Sequence, residues 1–465
     1  MRGPQAGAAF NCEGEHERMI EGLCYEVRYR LRMRVVAFVA LLSGLALLLA
    51  SPLLRQAFAQ ESQLDALRAG ARANAADGEA ARSLGRALRR AGHFTEALVE
   101  LRRGIAVSGS RPGVLARLHW ELARVHMDRH DFRQALAACA VLGAVQGASA
   151  EGHACAADAH LVWQRATEAL GETAAALAAD PTCYAAKVAE GRAQDFALDA
   201  ARSEAAFRMA IAWQPEVADA HVGLGRVLLE NGKKNEAWAE FRKAVHLDPN
   251  APDAIYELAI ALPQTGESVA LLEAATRERP SFAEAWLALG AQELAARQLT
   301  EARRAAEAAV RNDPKSAAPH VLLGKVALAE SRPEDAIREG EAALKILPNS
   351  APATLLVADA NAKKGEIDRA LEAYQAAWGL DHGDPTPLVH ASEACHAAGR
   401  ETSARAFGVR ASQEFPEWGP AWAALGDALF AQSEKRAAHD AYAKALSANG
   451  PVDRVAVQNK LLLVP

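Results

Sequence analysis

Residues Ala218 to Ala251 read ADAHVGLGRVLLENGKKNEAWAEFRKAVHLDPNA, and this 34-residue stretch decides the fold. Leu224, Gly225 and Leu228 fall on one face of a first helix. Glu230, Asn231 and Gly232 break it, with Gly232 placed as a helix stop. Ala237, Phe241 and Ala244 then share a face of a second helix. Pro249, after Asp248, ends that helix because proline disfavours helical backbone at the residue before it. Counted from Ala218, these residues occupy positions 7, 8, 11, 20, 24, 27 and 32.

The same spacing returns along the chain. Near Gly78 a first unit has Leu84, Gly85, Leu88, Ala97 and Leu101 at the matching positions. Further units start near Ala116, Ala150, Tyr184, Pro252, Ala283, Ala317, Ala351, Pro385 and Gly419. The fourth is weak in its first helix, where Glu190 stands in place of Leu. The sixth is about three residues short, with Pro263 to Gly266 at its inter-helix turn. This pattern resembles the tetratricopeptide repeat, a helix–turn–helix unit of 34 residues. The resemblance spans roughly residues 78–452. It implies an all-α, right-handed superhelical solenoid of about eleven repeats. In such an array each unit packs on its neighbours, which suits a chain that is 51% hydrophobic but only 6% aromatic.

Outside the repeats, residues 1–34 have no apolar period and form an N-terminal tail, or an upstream segment if Met33 is the true start. Arg28, Arg30, Arg32 and Arg34 precede an uncharged apolar run, Val35 to Leu54, long enough to span a bilayer. Ala57, Phe58 and Ala59 before Gln60 fit a signal-peptidase site. Residues 35–59 are therefore expected to be a cleaved signal peptide or a retained transmembrane anchor. Either places the repeats outside the cytoplasm, in the periplasm or secreted, or held at the inner membrane of a bacterial envelope. Membrane contact is expected only through residues 35–54, if they are kept. Residues 60–77 read as a linker or leading helix, and 453–465 as a C-terminal capping segment.

The net charge is −6. Without residues 1–59, which hold seven Arg and five Glu, 45 basic face 53 acidic side chains, a formal −8. That balance argues against general nucleic-acid binding, because no net positive field engages phosphates.

In the family that the repeats resemble, positions 2, 5, 9 and 12 of the first helices face a concave groove. Position 5 is mostly apolar here, as at Trp120, Val222 and Tyr256. Position 9 is mainly basic early, with Arg86, Arg124, Arg192 and Arg226. After Lys325 it turns acidic at Asp359, Glu393 and Asp427. One reading is an amphipathic groove that takes an extended peptide or a partner helix. The other is that position 5 packs between helices and position 9 is a solvated face. Asn is absent from position 9, so capture of a chaperone tail through Lys and Asn is not supported.

His119, His126, His130, His153 and His160 crowd the second and third units, with Cys139 and Cys155 nearby. Imidazole and thiolate bind zinc or copper, but the spacing matches no compact metal motif. No metal and no cofactor is expected. The repeat geometry sets Cys139 on a second helix facing the next first helix, where Cys155 lies. A disulfide there and two small buried residues are both consistent with the sequence. There is no GxSxG, no GxxxxGK[ST] and no GxGxxG after a strand. The expected function is a non-catalytic scaffold or adaptor for another protein or peptide. A metal- or cofactor-handling accessory protein and a regulatory subunit of an envelope enzyme are the alternatives.

Overall fold

The computed structural model describes residues 64–263 and 265–464. The expected tail 1–34, the signal or anchor segment 35–59 and residues 60–63 of the next segment lie outside the described residues. Everything below concerns the compact unit Leu67–Pro465. Among the described residues every regular element is a helix, and none is long and apolar enough to cross a membrane.

Eleven helix–turn–helix pairs follow one another from Gly78 to Ser447. Their first helices begin at Gly78, Pro112, Ser149, Tyr184, Ala218, Pro252, Ala283, Ala317, Ala351, Thr386 and Gly419, and number repeats 1 to 11 here. A single helix, Arg454–Leu462, closes the array. The observed architecture is thus the all-α repeat solenoid that the sequence implies.

Side-chain size explains the stacking. In repeat 5, Ala237, Phe241 and Ala244 are fully buried. Gly225 has no room for a side chain, since a Cβ there would sit 2.5 Å from the Phe241 ring. Gly426 and Tyr442 repeat this in repeat 11, and Gly85 meets Leu101 in repeat 1. A small residue at position 8 therefore seats the large one at position 24, giving close packing without large core side chains.

Position 15 carries the period in the backbone. Ten of the eleven inter-helix turns place one residue there in the left-handed region. Four are glycines, including Gly232 at φ +74°, and six are not, including Leu198 at φ +61°. The bonds match: Gly232 N to Leu229 O and Lys233 N to Leu228 O, as Leu198 N to Asp195 O and Asp199 N to Gln194 O. Repeat 6 is the exception, its first helix stopping after ten residues at Ala261.

Position 4 supplies a second recurring bond. His221 Nδ1 lies 2.6 Å from Glu240 Oε2, and His153–Glu172 and His320–Glu339 repeat the same separation in sequence. Trp286 and Trp422, also at position 4, donate from Nε1 to the carbonyl oxygens of Pro280 and Pro416. These contacts tie the first helices of repeats 3, 5, 7, 8 and 11 to the segments beside them.

Cys139 and Cys155 form a disulfide between the second helix of repeat 2 and the first helix of repeat 3, with Cα atoms 5.4 Å apart. Cys183 and Cys395 are free thiols, both buried. At the C-terminal end Val457 and Val464 bury against the core of repeat 11 and Leu461 packs beside them, while Leu462 and Leu463 are exposed.

Candidate partner-binding site

The position-9 arginines of repeats 1, 2, 4 and 5 line one cleft, because the array curves tightly enough to bring these copies together. Arg90 Nη2 lies 3.6 Å from Asp248 Oδ2, and Arg90 Nη1 donates to Asn250 O at 3.4 Å. Repeat 1 thus comes back over the end of repeat 5. Between them are two adjoining cavities of about 270 and 450 Å³. Both are lined by Arg89, Arg124, Arg192, Asp195, Arg226, Asp253 and Arg279. Arg86, Arg90, Asp219 and Val222 border the smaller one. Met127, Leu161, Val162 and Phe196 form an apolar wall of the larger one.

Most of the arginines are held by carboxylates. Arg89 Nη1 donates to Asp128 Oδ2 at 2.7 Å, and Arg192 Nη1 to Asp158 Oδ1 at 3.0 Å. Arg226 Nε donates to Glu257 Oε1 at 2.7 Å, and Arg279 Nη1 to Asp253 Oδ1 at 2.9 Å. Arg86 is looser, its Nε standing 3.9 Å from Glu121 Oε1. Arg124 makes no side-chain hydrogen bond or ion pair among the described residues, although it lines both cavities.

The charges are strongly linked. Burial works to lower the Arg124 pKa, but Glu121, Asp219, Asp128 and Asp158 hold it above the ordinary value, so the guanidinium stays charged. Burial pushes the Asp253 carboxyl up, yet Arg279, Arg124 and Arg89 keep it below its usual range. Glu257 goes the other way, burial outweighing the pull of Arg226. Burial, with Glu230, also raises Asp195.

A third cavity, of about 700 Å³, lies in repeats 8 to 10. Asp359 Oδ1 accepts from Tyr374 Oη at 2.8 Å and from His390 Nδ1 at 2.8 Å. Glu393 lines the same cavity, its pKa raised by burial and by Asp427 and Asp359. One repeat on, Asp427 accepts from Tyr442 Oη at 2.8 Å and from Lys460 Nζ at 2.6 Å.

The structure therefore divides the sequence-derived set. Arg86, Arg124, Arg192, Val222 and Arg226 meet in one cleft, although 140 positions separate the first from the last. Asp359 and Glu393 share the later cavity, and Asp427 is taken by the closing helix. Trp120 is half-buried against two core clusters and Tyr256 is half-buried against Phe282 at 4.9 Å, and neither borders these cavities. Lys325 is exposed and borders none of the three cavities. Sequence reasoning missed Arg89, Asp219 and Asp253, which stand at positions 12 and 2 of their repeats and line the same cleft. It also missed Arg279, which ends a second helix and carries no positional signal.

The histidines separate rather than converge. His126 is buried with Nδ1 3.8 Å from Asp131, His160 meets Phe132 edge-on at 5.5 Å, and His153 is bonded to Glu172. Among the described residues no three potential metal ligands come together.

Comparison with known proteins adds the family. Residues 188–252, 258–317, 292–351 and 321–385 match the tetratricopeptide repeat family model. Those residues form tetratricopeptide repeats. Among solved structures, yeast Tom70 is similar at 12% identity and a TM-score of 0.44, over 83% of this chain and 95% of that one. Pseudomonas aeruginosa pilF is similar at 21% identity and a TM-score of 0.39, over 47% of this chain and 98% of that one. A tetratricopeptide repeat protein of Parabacteroides merdae is similar at 14% identity and a TM-score of 0.40, over 60% and 98%. No curated protein sequence matches the chain.

Proposed function

We propose that the protein is a non-catalytic scaffold that holds a segment of another protein on the concave face of repeats 1 to 6. The observation that carries this reading is the convergence of four position-9 arginines, from repeats 1, 2, 4 and 5, on one solvent-accessible cleft. Arg89, Arg192 and Arg226 pair with carboxylates of a neighbouring repeat, as a structural role would have it. Arg124, by contrast, is left without a partner among the described residues, facing a cavity that has both polar and apolar walls. Tetratricopeptide repeats are, as a fold, built to present such surfaces.

We place this activity in a bacterial envelope. The Cys139–Cys155 disulfide supports an oxidising compartment, and the apolar run Val35 to Leu54 supports export. The mature protein begins at Gln60 if the segment is cleaved. N-terminal sequencing of the protein from its own cell tests this. A start at Gln60, or a membrane-extracted chain that keeps residues 35–54, supports export, and a soluble cytoplasmic chain that keeps them rejects it.

The binding surface is tested by photo-crosslinking in the native cell. A crosslinker at Val222, in the cleft, should capture one partner protein, and the same group at the exposed Val141, on a second helix, should not. Equal capture from both positions, or none from Val222, would overturn the assignment.

A further inference from the structure

The cleft of repeats 1 to 6 holds more hydrogen-bond donors than its own acceptors satisfy. Seven arginines and five carboxylates line its smaller cavity, and each guanidinium carries five N–H groups. Arg89 is only 5% exposed, and its Nε stands 3.5 Å from Glu121 Oε2 without making a hydrogen bond. The buried Nε of Arg86 is no closer than 3.9 Å to Glu121 Oε1 and makes none either. Arg124 completes the set, charged and without a partner among the described residues. A buried donor without an acceptor is costly, and a ligand oxygen removes that cost.

The adjoining cavity supplies the second half of the argument. Val162 and Phe196 are exposed apolar side chains on its wall, immediately beside the arginines. A simple anion would leave that wall wet, and an apolar segment alone would cover Arg124 without pairing it.

We propose that the cleft takes an internal acidic–apolar segment of a partner polypeptide. A glutamate or aspartate side chain of that segment accepts hydrogen bonds from Arg124, with Arg89 and Arg192 beside it, and an adjacent aliphatic or aromatic side chain lies on Val162 and Phe196. This rests on the reading of the concave face as the partner-binding surface and specifies its chemistry. Asp219 limits the affinity. Its carboxylate borders the smaller cavity, pairs with nothing among the described residues, and acts electrostatically on Arg124.

Fluorescence anisotropy on the full-length protein tests the assignment, with short amidated peptides of alternating glutamate and leucine, lysine and leucine, or glutamate and serine. The glutamate–leucine peptide should bind most tightly, and added salt should weaken it. Arg124→Gln should weaken it about tenfold or more, the loss seen when a charged hydrogen-bond partner is removed. Asp219→Asn should strengthen it several-fold, a gain that misfolding cannot produce. Phe196→Ser should reduce its advantage over the glutamate–serine peptide. Equal binding of the lysine–leucine peptide, an unchanged affinity in Arg124→Gln, or no gain in Asp219→Asn overturns the proposal. Binding only by the free-acid form of the peptide would move recognition to a chain terminus and also overturn it. If the peptides fail while cross-links from Val222 persist, the chemistry is wrong and the surface stands; if both fail, the surface falls as well.

Discussion

Arg90 of repeat 1 faces Asp248 at the end of repeat 5 across 3.6 Å, and Arg90 also donates to the backbone of Asn250. The contact closes the first turn of the superhelix over the arginine-lined cleft. It is polar and partly exposed, so its own stability contribution is small, about 0–1 kcal/mol. Its effect is on geometry. Arg90→Glu should widen the distance distribution between spin labels at the exposed His93 and Asn250 while shifting the thermal midpoint little. High salt should do the same to the wild type, because charges this exposed are screened. A distribution unchanged by both treatments would show that helix stacking alone sets the curvature.

The left-handed residue at position 15 predicts opposite outcomes from two substitutions. Leu198 has φ +61°, is 91% exposed and gains almost nothing from its side chain there. Leu198→Gly should stabilise repeat 4 by roughly 1 kcal/mol, the cost of holding an ordinary residue in that region. Gly232, with φ +74° and open space around its Cα, should show the reverse: Gly232→Ala should destabilise repeat 5 by about 1 kcal/mol. Hydrogen exchange read repeat by repeat checks both, since a long array need not unfold as one unit.

These turns show what the sequence could and could not disclose. The packing period was legible because Gly225 and Phe241, or Gly426 and Tyr442, solve the same local problem with the same residue types. The turn backbone is as regular, yet His130, Gln164, Leu198 and Arg297 share no side-chain chemistry that marks it. The cleft was legible in part. Arg86 and Arg226 could be assigned to one face from their position in the repeat. Their meeting depends on curvature summed over several repeats, to which each junction contributes a small rotation. At Trp120 position 5 left groove and packing both open, because an aromatic ring suits either environment; the neighbouring helices half-bury it against two core clusters.

The disulfide joins residues 16 apart and links two successive repeats. A loop of this length lowers the entropy of the unfolded chain by the equivalent of about 3 kcal/mol, before any cost in the native state. Replacing Cys139 and Cys155 together by Ala should therefore lower the resistance of repeats 2 and 3 to thermal opening and leave repeats 8 to 11 unaffected. Both sulfurs are buried, so reductant should act slowly on the folded protein and quickly in denaturant. Peptide mapping under non-reducing conditions should recover Cys139 and Cys155 in one linked fragment. Free thiols at both positions would refute the bond.

The later cavity should respond to pH through His390. Burial alone would lower the imidazole pKa, but the hydrogen bond and charge of Asp359, with Glu393 and Asp384 nearby, hold it above the ordinary value. A histidine whose folded pKa is raised contributes stability that is complete below the unfolded pKa, about 6.5, and is lost as pH rises through the folded value. Glu393, raised by burial and by Asp427 and Asp359, acts in the same direction, because the folded state holds its proton more tightly than the unfolded chain does. Tyr374 shares the acceptor Asp359 and lies edge-on to His390 at 6.3 Å, so the three side chains form one network. Repeats 9 and 10 should consequently lose stability from mildly acidic to mildly alkaline pH. An NMR titration of the His390 ring should give a midpoint above that of an ordinary imidazole. Asp359→Asn should lower that midpoint, reduce the pH dependence to the part Glu393 contributes, and destabilise the two repeats by about 1–3 kcal/mol through the weakened bonds to Tyr374 and His390. An unshifted midpoint in Asp359→Asn would mean that the carboxylate does not govern His390.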